Sequence, residues 1–118
     1  MQAVTMRQYL EGEQLIRISL EPMRVVLEFY RTSLEMRTPL WVKDGIGRST
    51  CIDPSTRIGD VDVLWSLVGE TGISSTWSDE IKIAFTGGAQ LRIPESLDGT
   101  PRGTLRGHDD DRNIAEDF

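Results

Sequence analysis

The feature that most constrains this chain is a similarity between its first and second halves. At an offset of 57 residues, apolar and glycine positions align as follows: Val4 with Val61, Leu10 with Leu67, Gly12 with Gly69, and Ile16 with Ile73. At an offset of 56 residues, Val25, Leu27 and Phe29 align with Ile81, Ile83 and Phe85. Self-similarity of this kind indicates a repeated structural unit. The sequence therefore predicts two pseudo-repeats, over residues 1–39 and 60–94.

Each copy begins with a segment whose spacing predicts a short helix. In the second copy the apolar stripe at i, i+3, i+4 and i+7 consists of Val61, Leu64, Trp65 and Val68. Asp60 is placed to cap its start, and Gly69 is typical of the left-handed residue that ends many helices. The corresponding helix of the first copy is expected over residues 4–10, and we expect both helices to pack against the strands.

After each glycine the apolar period changes from 3.6 to 2, which predicts three strands per copy. In the first copy, Glu21-Pro22-Met23-Arg24 interrupts the alternation, because proline cannot donate to a strand ladder. The resulting register has four predicted pairs: Leu20 with Val25, Ile18 with Leu27, Ile16 with Phe29, and Arg17 with Glu28. A second loop at Thr32-Ser33 would add Arg37 to the row of Arg17 and Glu28.

The second copy has clearer turns, at residues 78–80 and 86–88, and the latter contains two glycines. The inward face is predicted to consist of Ile73, Ser75, Trp77, Ile81, Ile83, Phe85, Ala89, Leu91 and Ile93. Six strands and two helices predict an α+β fold, with the strands in one mainly antiparallel sheet or a partly curled barrel.

Two segments lie outside the repeat. Residues 40–59 connect the copies, and the Asp44-Gly45 turn signal predicts a minor ribbon that pairs residues 40–42 with 50–52. Residues 95–118 are rich in glycine and acidic side chains, so we expect an irregular, partly disordered tail. The predicted organisation is a single domain over residues 1–94 followed by this tail.

The charge of the chain is concentrated in its second half. Residues 61–118 carry five basic and eleven acidic side chains, which accounts for the whole net charge of −6. Phosphate backbones would be repelled by the acidic tail, so we expect no nucleic acid as partner and instead expect a basic protein. The residues proposed to contact it are Asp109, Asp110, Asp111, Glu116 and Asp117, with Trp41 of the connection as an anchor. The alternative for the acidic run is a merely solvated tail.

The residues that carry chemistry are few. One Cys and one His cannot build the usual zinc sites, and we expect Cys51 to be a buried structural residue. We therefore predict no catalytic residues, no metal site and no cofactor. A single Cys forms no intramolecular disulfide, which favours the cytoplasm, and no apolar stretch approaches the roughly 20 residues that span a bilayer.

A resemblance adds a functional expectation. Leu67-Val-Gly-Glu70 followed by Ile81-Lys-Ile-Ala-Phe-Thr-Gly-Gly-Ala-Gln-Leu-Arg-Ile93 resembles a pattern in small uncharacterised bacterial proteins. Some of these are similar to immunity proteins of polymorphic or contact-dependent toxin systems. The resemblance covers residues 61–94, with an echo at 4–39. Together with the acidic charge and the absence of catalytic residues, it favours a non-catalytic immunity protein that neutralises a basic toxin domain, and we expect a monomer or a homodimer. Two alternatives stay open: a small-molecule sensor or minor enzyme with a pocket between the halves, and a self-assembling structural subunit.

Overall fold

The structure, a computed structural model, describes residues 10–56, 59–109 and 112–118. Its strands are β1 (Leu15–Glu21), β2 (Arg24–Phe29), β3 (Thr32–Met36), β4 (Leu40–Lys43), β5 (Ser49–Ile52), β6 (Gly72–Trp77), β7 (Ile81–Phe85), β8 (Gln90–Ile93), β9 (Gly103–Asp109) and β10 (Arg112–Asp117). They form two antiparallel sheets, one in the order β1-β2-β3-β9-β10 and the other in the order β5-β4-β8-β7-β6. The helical segments with described bounds are α1 (Val61–Trp65) and a 3₁₀ turn at Thr86–Gly88.

The prediction of an α+β fold built from two helix-plus-strand repeats in one sheet is wrong. The apolar faces of the two sheets bury each other, and one continuous core contains side chains from both. Phe29 of β2 and Phe85 of β7 stack with ring centroids 6.2 Å apart. Helices are therefore not needed to cover either sheet. Most of the predicted helix over residues 4–10 lies outside the described residues.

The predicted register of β1 and β2 is confirmed along most of its length. Three of the predicted pairs are present: Leu20 with Val25, Ile18 with Leu27, and Arg17 with Glu28. The ladder then shifts between Leu15 and Arg17, so that Leu15 opposes Phe29 and Ile16 points to solvent. This β-bulge is the reason that the predicted pairing of Ile16 is wrong.

The position predicted for Arg37 is also wrong. The chain turns at Tyr30 and Arg31, before Thr32, so that Glu28 pairs with Ser33 on β3. Arg37 lies beyond the end of β3 and donates from Nη1 to Oε2 of Glu35 at 2.8 Å. The turn lies earlier than the apolar alternation alone suggested.

The strand pattern of the second copy is largely as predicted. Both predicted turns are present, and the predicted inward residues of β7, β8 and the intervening turn are buried: Ile81, Ile83, Phe85, Ala89, Leu91 and Ile93. Ser75 and Trp77 are half-buried. The inward position predicted for Ile73 is wrong, because the register shifts between Gly72 and Ser74 and exposes this side chain. Ile16 and Ile73, aligned in the sequence, thus occupy bulges at equivalent strands.

The starts of β1 and β6 connect the two sheets. Gln14 and Thr71 form an isolated antiparallel bridge, and the amide of Leu15 donates to the carbonyl of Glu70 at 2.8 Å. The predicted ribbon of residues 40–42 and 50–52 is present as β4 and β5. Because β4 also pairs with β8, this ribbon is part of the second sheet.

The prediction of an irregular tail is wrong for residues 103–109 and 112–117, which form β9 and β10. Strand β9 pairs along β3, where Leu34 opposes the fully buried Leu105. Gly103 fits there because any Cβ would collide with the carbonyl oxygen of Glu35. Backbone pairing, which leaves little trace in composition, holds this segment in the first sheet.

Candidate functional site

The helix α1 presents a different face to the core than its spacing predicted. Its buried residues are Val63 and Leu64, followed by Leu67 in the adjoining turn, whereas Val61, Trp65 and Val68 are exposed. The predicted cap is confirmed, since the amide of Asp62 donates to the Asp60 carboxylate at 2.9 Å. The predicted left-handed residue Gly69 is also confirmed, with φ of 93°.

An exposed apolar stripe therefore runs along this helix and its following turn. The exposed fractions are 44% for Val61, 48% for Trp65 and 41% for Val68. Their spacing of four and three residues places them on the same side of a helical segment. Leu20, at the end of β1, is 38% exposed and lines a cavity of about 40 Å³ together with Val61. We call Leu20, Val61, Trp65 and Val68 the helix surface.

Three carboxylates lie at the Val61 end of the helix surface without an ion pair to any described residue: Asp53, Asp60 and Asp62. Asp53 lines the same cavity as Leu20 and Val61. The O–H and then the N–H of Ser55 donate to this carboxylate and lower its pKa, so it is charged at neutral pH. The helix surface is thus apolar with three acids at one end, which we call the acidic rim.

The cations near this surface are held by other acids. Arg24 contacts Glu21 at 2.6 Å. Arg48 contacts Asp44 at 2.6 Å, and this partner, followed by the fields of Asp60 and Asp62, raises the pKa of the Arg48 guanidinium. Arg48 therefore lies near the acidic rim, but its positive charge is already paired with the buried carboxylate of Asp44.

The residues predicted to contact a partner are distributed over both sheets. Asp109 is on β9, and Glu116 and Asp117 are on β10, all in the first sheet, whereas Trp41 is on β4 in the second sheet. Asp117 accepts a hydrogen bond from Oγ1 of Thr104 at 2.7 Å. Asp110 and Asp111 lie outside the described residues. The described acids of the prediction are thus on strands of the first sheet, and its aromatic anchor Trp41 is on a strand of the second.

Sequence reasoning missed the helix surface, although a signal for it was present. Six of the eight residues from 61 to 68 are apolar, which is more than one helix face can bury. The spacing alone could not distinguish the face that contacts the core from the face that remains in solvent. The excess of apolar residues was the signal for an exposed second stripe.

The groups that could carry chemistry are sparse in the described part of the chain. No group of three His, Cys, Asp or Glu side chains within it could hold a metal ion. Cys51 is half-buried rather than fully buried as predicted. Burial and then the nearby Asp53 raise the pKa of its thiol, which keeps the thiol protonated and weakly nucleophilic at neutral pH.

No described helix is long and apolar enough to cross a membrane. Comparisons of the chain with protein-family models, with curated proteins and with solved structures gave no match.

Proposed function

We propose that this protein is a non-catalytic binding module that docks a basic protein on the helix surface. The observation that carries the proposal is Trp65, which is nearly half exposed in an apolar stripe. Tryptophan dominates binding energies at protein interfaces, because it buries a large area on contact with a partner. An exposed apolar cluster rimmed by polar groups is typical of such interfaces.

The acidic rim supports the choice of a basic partner. Asp53, Asp60 and Asp62 lie at the Val61 end of the stripe, and the whole chain has a net charge of −6. Lysine or arginine side chains on a partner would be attracted to this rim before contact, which accelerates association and disfavours acidic competitors. The apolar stripe would then supply most of the affinity.

The resemblance of residues 61–94 to immunity proteins suggests which basic partner to test first. The helix surface lies largely within that stretch, because Val61, Trp65 and Val68 belong to it. A toxin domain neutralised in the cytoplasm is therefore the specific form of this proposal. The small-molecule and self-assembly alternatives stay predictions.

A pull-down with matched aromatic variants tests the proposal. The tagged wild-type, Trp65→Ser and Tyr30→Ser proteins are incubated with lysate of the source organism and eluted with a salt gradient. Tyr30 is 77% exposed in the turn between β2 and β3, so its variant controls for the loss of a surface aromatic residue. We expect a basic protein to be captured by the wild type and the Tyr30 variant and lost by the Trp65 variant. Equal capture of the basic protein by all three proteins, or an acidic protein as the one whose capture needs Trp65, would contradict the proposal.

A further inference from the structure

The outer face of the second sheet carries a separate group of residues around Trp41. Trp41 opposes Arg92 across β4 and β8, and Arg92 opposes Lys82 across β8 and β7. Lys43 lies one row away and opposes Gln90. We call Trp41, Lys43, Lys82, Gln90 and Arg92 the cationic face. It is the surface on which the anchor residue of the sequence analysis lies.

The positive charges of the cationic face are only partly matched by carboxylates. On the second sheet, Lys82 and Arg92 share the single carboxylate of Glu80, at 3.6 and 3.1 Å. Lys43 has no ion pair with a described residue. The cationic face therefore has an unmatched positive charge on an acidic protein.

An aromatic ring lies within this positive region. The guanidinium carbon of Arg92 is 5.8 Å from the centroid of the Trp41 ring, a cation–π distance. Trp41 is 41% exposed, and with Lys43, Ser49 and Gln90 it lines an open cavity of about 260 Å³. An open depression of this size suits a segment that lies across the sheet better than an enclosed small molecule, whose sites are usually larger and deeper.

The distribution of acids around the face favours a short polypeptide over a nucleic acid. Asp53 follows β5 on one side, and Glu80 precedes β7 on the other. The phosphates of a single-stranded nucleic acid would extend past both carboxylates, which would repel them. Such a strand usually binds in a continuous basic groove that is several nucleotides long. A short segment with one or two carboxylates beside an apolar side chain matches the arginine, the lysine and the indole ring.

We infer that the cationic face binds a short acidic segment of a partner polypeptide. The segment's carboxylates contact Arg92 and Lys43, and its apolar side chain lies on Trp41. Glu80 competes with the ligand for Arg92, because the same guanidinium binds both. This site is distinct from the helix surface and does not depend on the proposed function.

An NMR titration of the labelled full chain tests the inference, with the acetylated and amidated peptide Glu-Phe-Glu as the probe. The indole N–H resonances of the three tryptophans report separately on Trp41, Trp65 and Trp77. We expect the resonance of Trp41 to shift on titration while the other two stay in place. Added salt should weaken binding, because the contacted charges are exposed.

Variants with a matched control complete the test. Arg92→Gln together with Lys43→Gln should raise the Kd for the peptide about tenfold, since two exposed charge contacts are lost. Arg17→Gln removes an arginine of the first sheet and should leave the Kd unchanged. If the double variant loses its folded spectrum, Lys43→Gln alone should raise the Kd severalfold, since Lys43 has no ion pair to a described residue.

Three results would overturn the inference: no shift of the Trp41 resonance, equal Kd values for the wild type and the Lys43 variant, or tighter binding of hexathymidylate DNA than of the peptide. The last result would assign the face to single-stranded nucleic acid.

Discussion

The stacked pair of Phe29 and Phe85 connects the two sheets, and its removal tests the packing of the core. Phe85 is 1% exposed and Phe29 is 5% exposed, with their ring planes 8° apart. The substitution Phe85→Ala removes an aromatic ring from the closed interior. The cavity that it leaves cannot close unless one sheet moves against the other. We expect a loss of about 3–5 kcal/mol in the free energy of unfolding. This is a large fraction of the roughly 5–15 kcal/mol typical of a domain.

The contact between the rings is measured with milder substitutions, since two truncations could unfold the protein. Phe29→Leu and Phe85→Leu should each cost about 1–1.5 kcal/mol, because leucine retains most of the apolar volume. Their coupling should be about 0.5–1.5 kcal/mol, the usual contribution of an aromatic pair beyond its buried area. The double variant should therefore be more stable than the sum of the single losses implies.

Urea unfolding followed by circular dichroism measures the stability of the four proteins in this double-mutant cycle: the wild type, Phe29→Leu, Phe85→Leu and the double variant. Tyr30→Ala is the matched control, because Tyr30 follows Phe29 in the chain but is 77% exposed. Its change should stay within about 0.5 kcal/mol. A loss below about 1 kcal/mol for Phe85→Ala would refute the reasoning that the two sheets bury a common core. Additive effects of the two leucine variants would refute direct contact of the rings.

Three further predictions concern single positions. Gly72→Ala should destabilise the fold by about 1–3 kcal/mol, because the added methyl group would overlap the backbone carbonyl of Leu10. The loss should appear as a lower urea midpoint, and an unchanged midpoint would contradict the close approach of Gly72 to that carbonyl. Hydrogen bonds from the hydroxyl and amide of Thr100 lower the pKa of Asp98 to about 2, so their stabilisation is complete above about pH 4 and is lost as the pH falls through 2. Thr100→Val should raise the pKa of Asp98 in a carboxyl NMR titration, and an unchanged value would contradict this cause. The hydrogen bond and charge of Arg17 lower the pKa of Glu28, so Arg17→Gln should raise it toward its ordinary value; no rise would show that this ion pair is not formed in solution.

Local alternation was sufficient to predict much of the strand pairing. Val25 and Leu27 face Leu20 and Ile18, because a slip of one residue would turn every apolar side chain to the wrong face. The bulge that exposes Ile16 could not be predicted in this way, because an extra residue in a strand leaves the apolar composition unchanged.

Non-local packing determined the features that the sequence did not reveal. Leu105 is the only large apolar residue among residues 103–107, yet it is fully buried because β9 pairs along β3. Val61 and Trp65 have the spacing of a buried stripe, but Val63, Leu64 and Leu67 contact the core instead. The choice between two apolar faces of one short helix depends on where β4 and β5 lie. No periodicity within the helix contains that information.

Site-specific photocrosslinking tests the central claim, that a basic protein docks on the helix surface, most directly. A photoreactive amino acid is placed at Val68, which is exposed on the helix surface, or at Ile46, which is 82% exposed in the turn between β4 and β5. Cells of the source organism that produce each variant are irradiated, and the adducts are identified by mass spectrometry. The account predicts an adduct with one basic protein from position 68 and none with that protein from position 46. The absence of an adduct from position 68, or the same adduct from both positions, would contradict it.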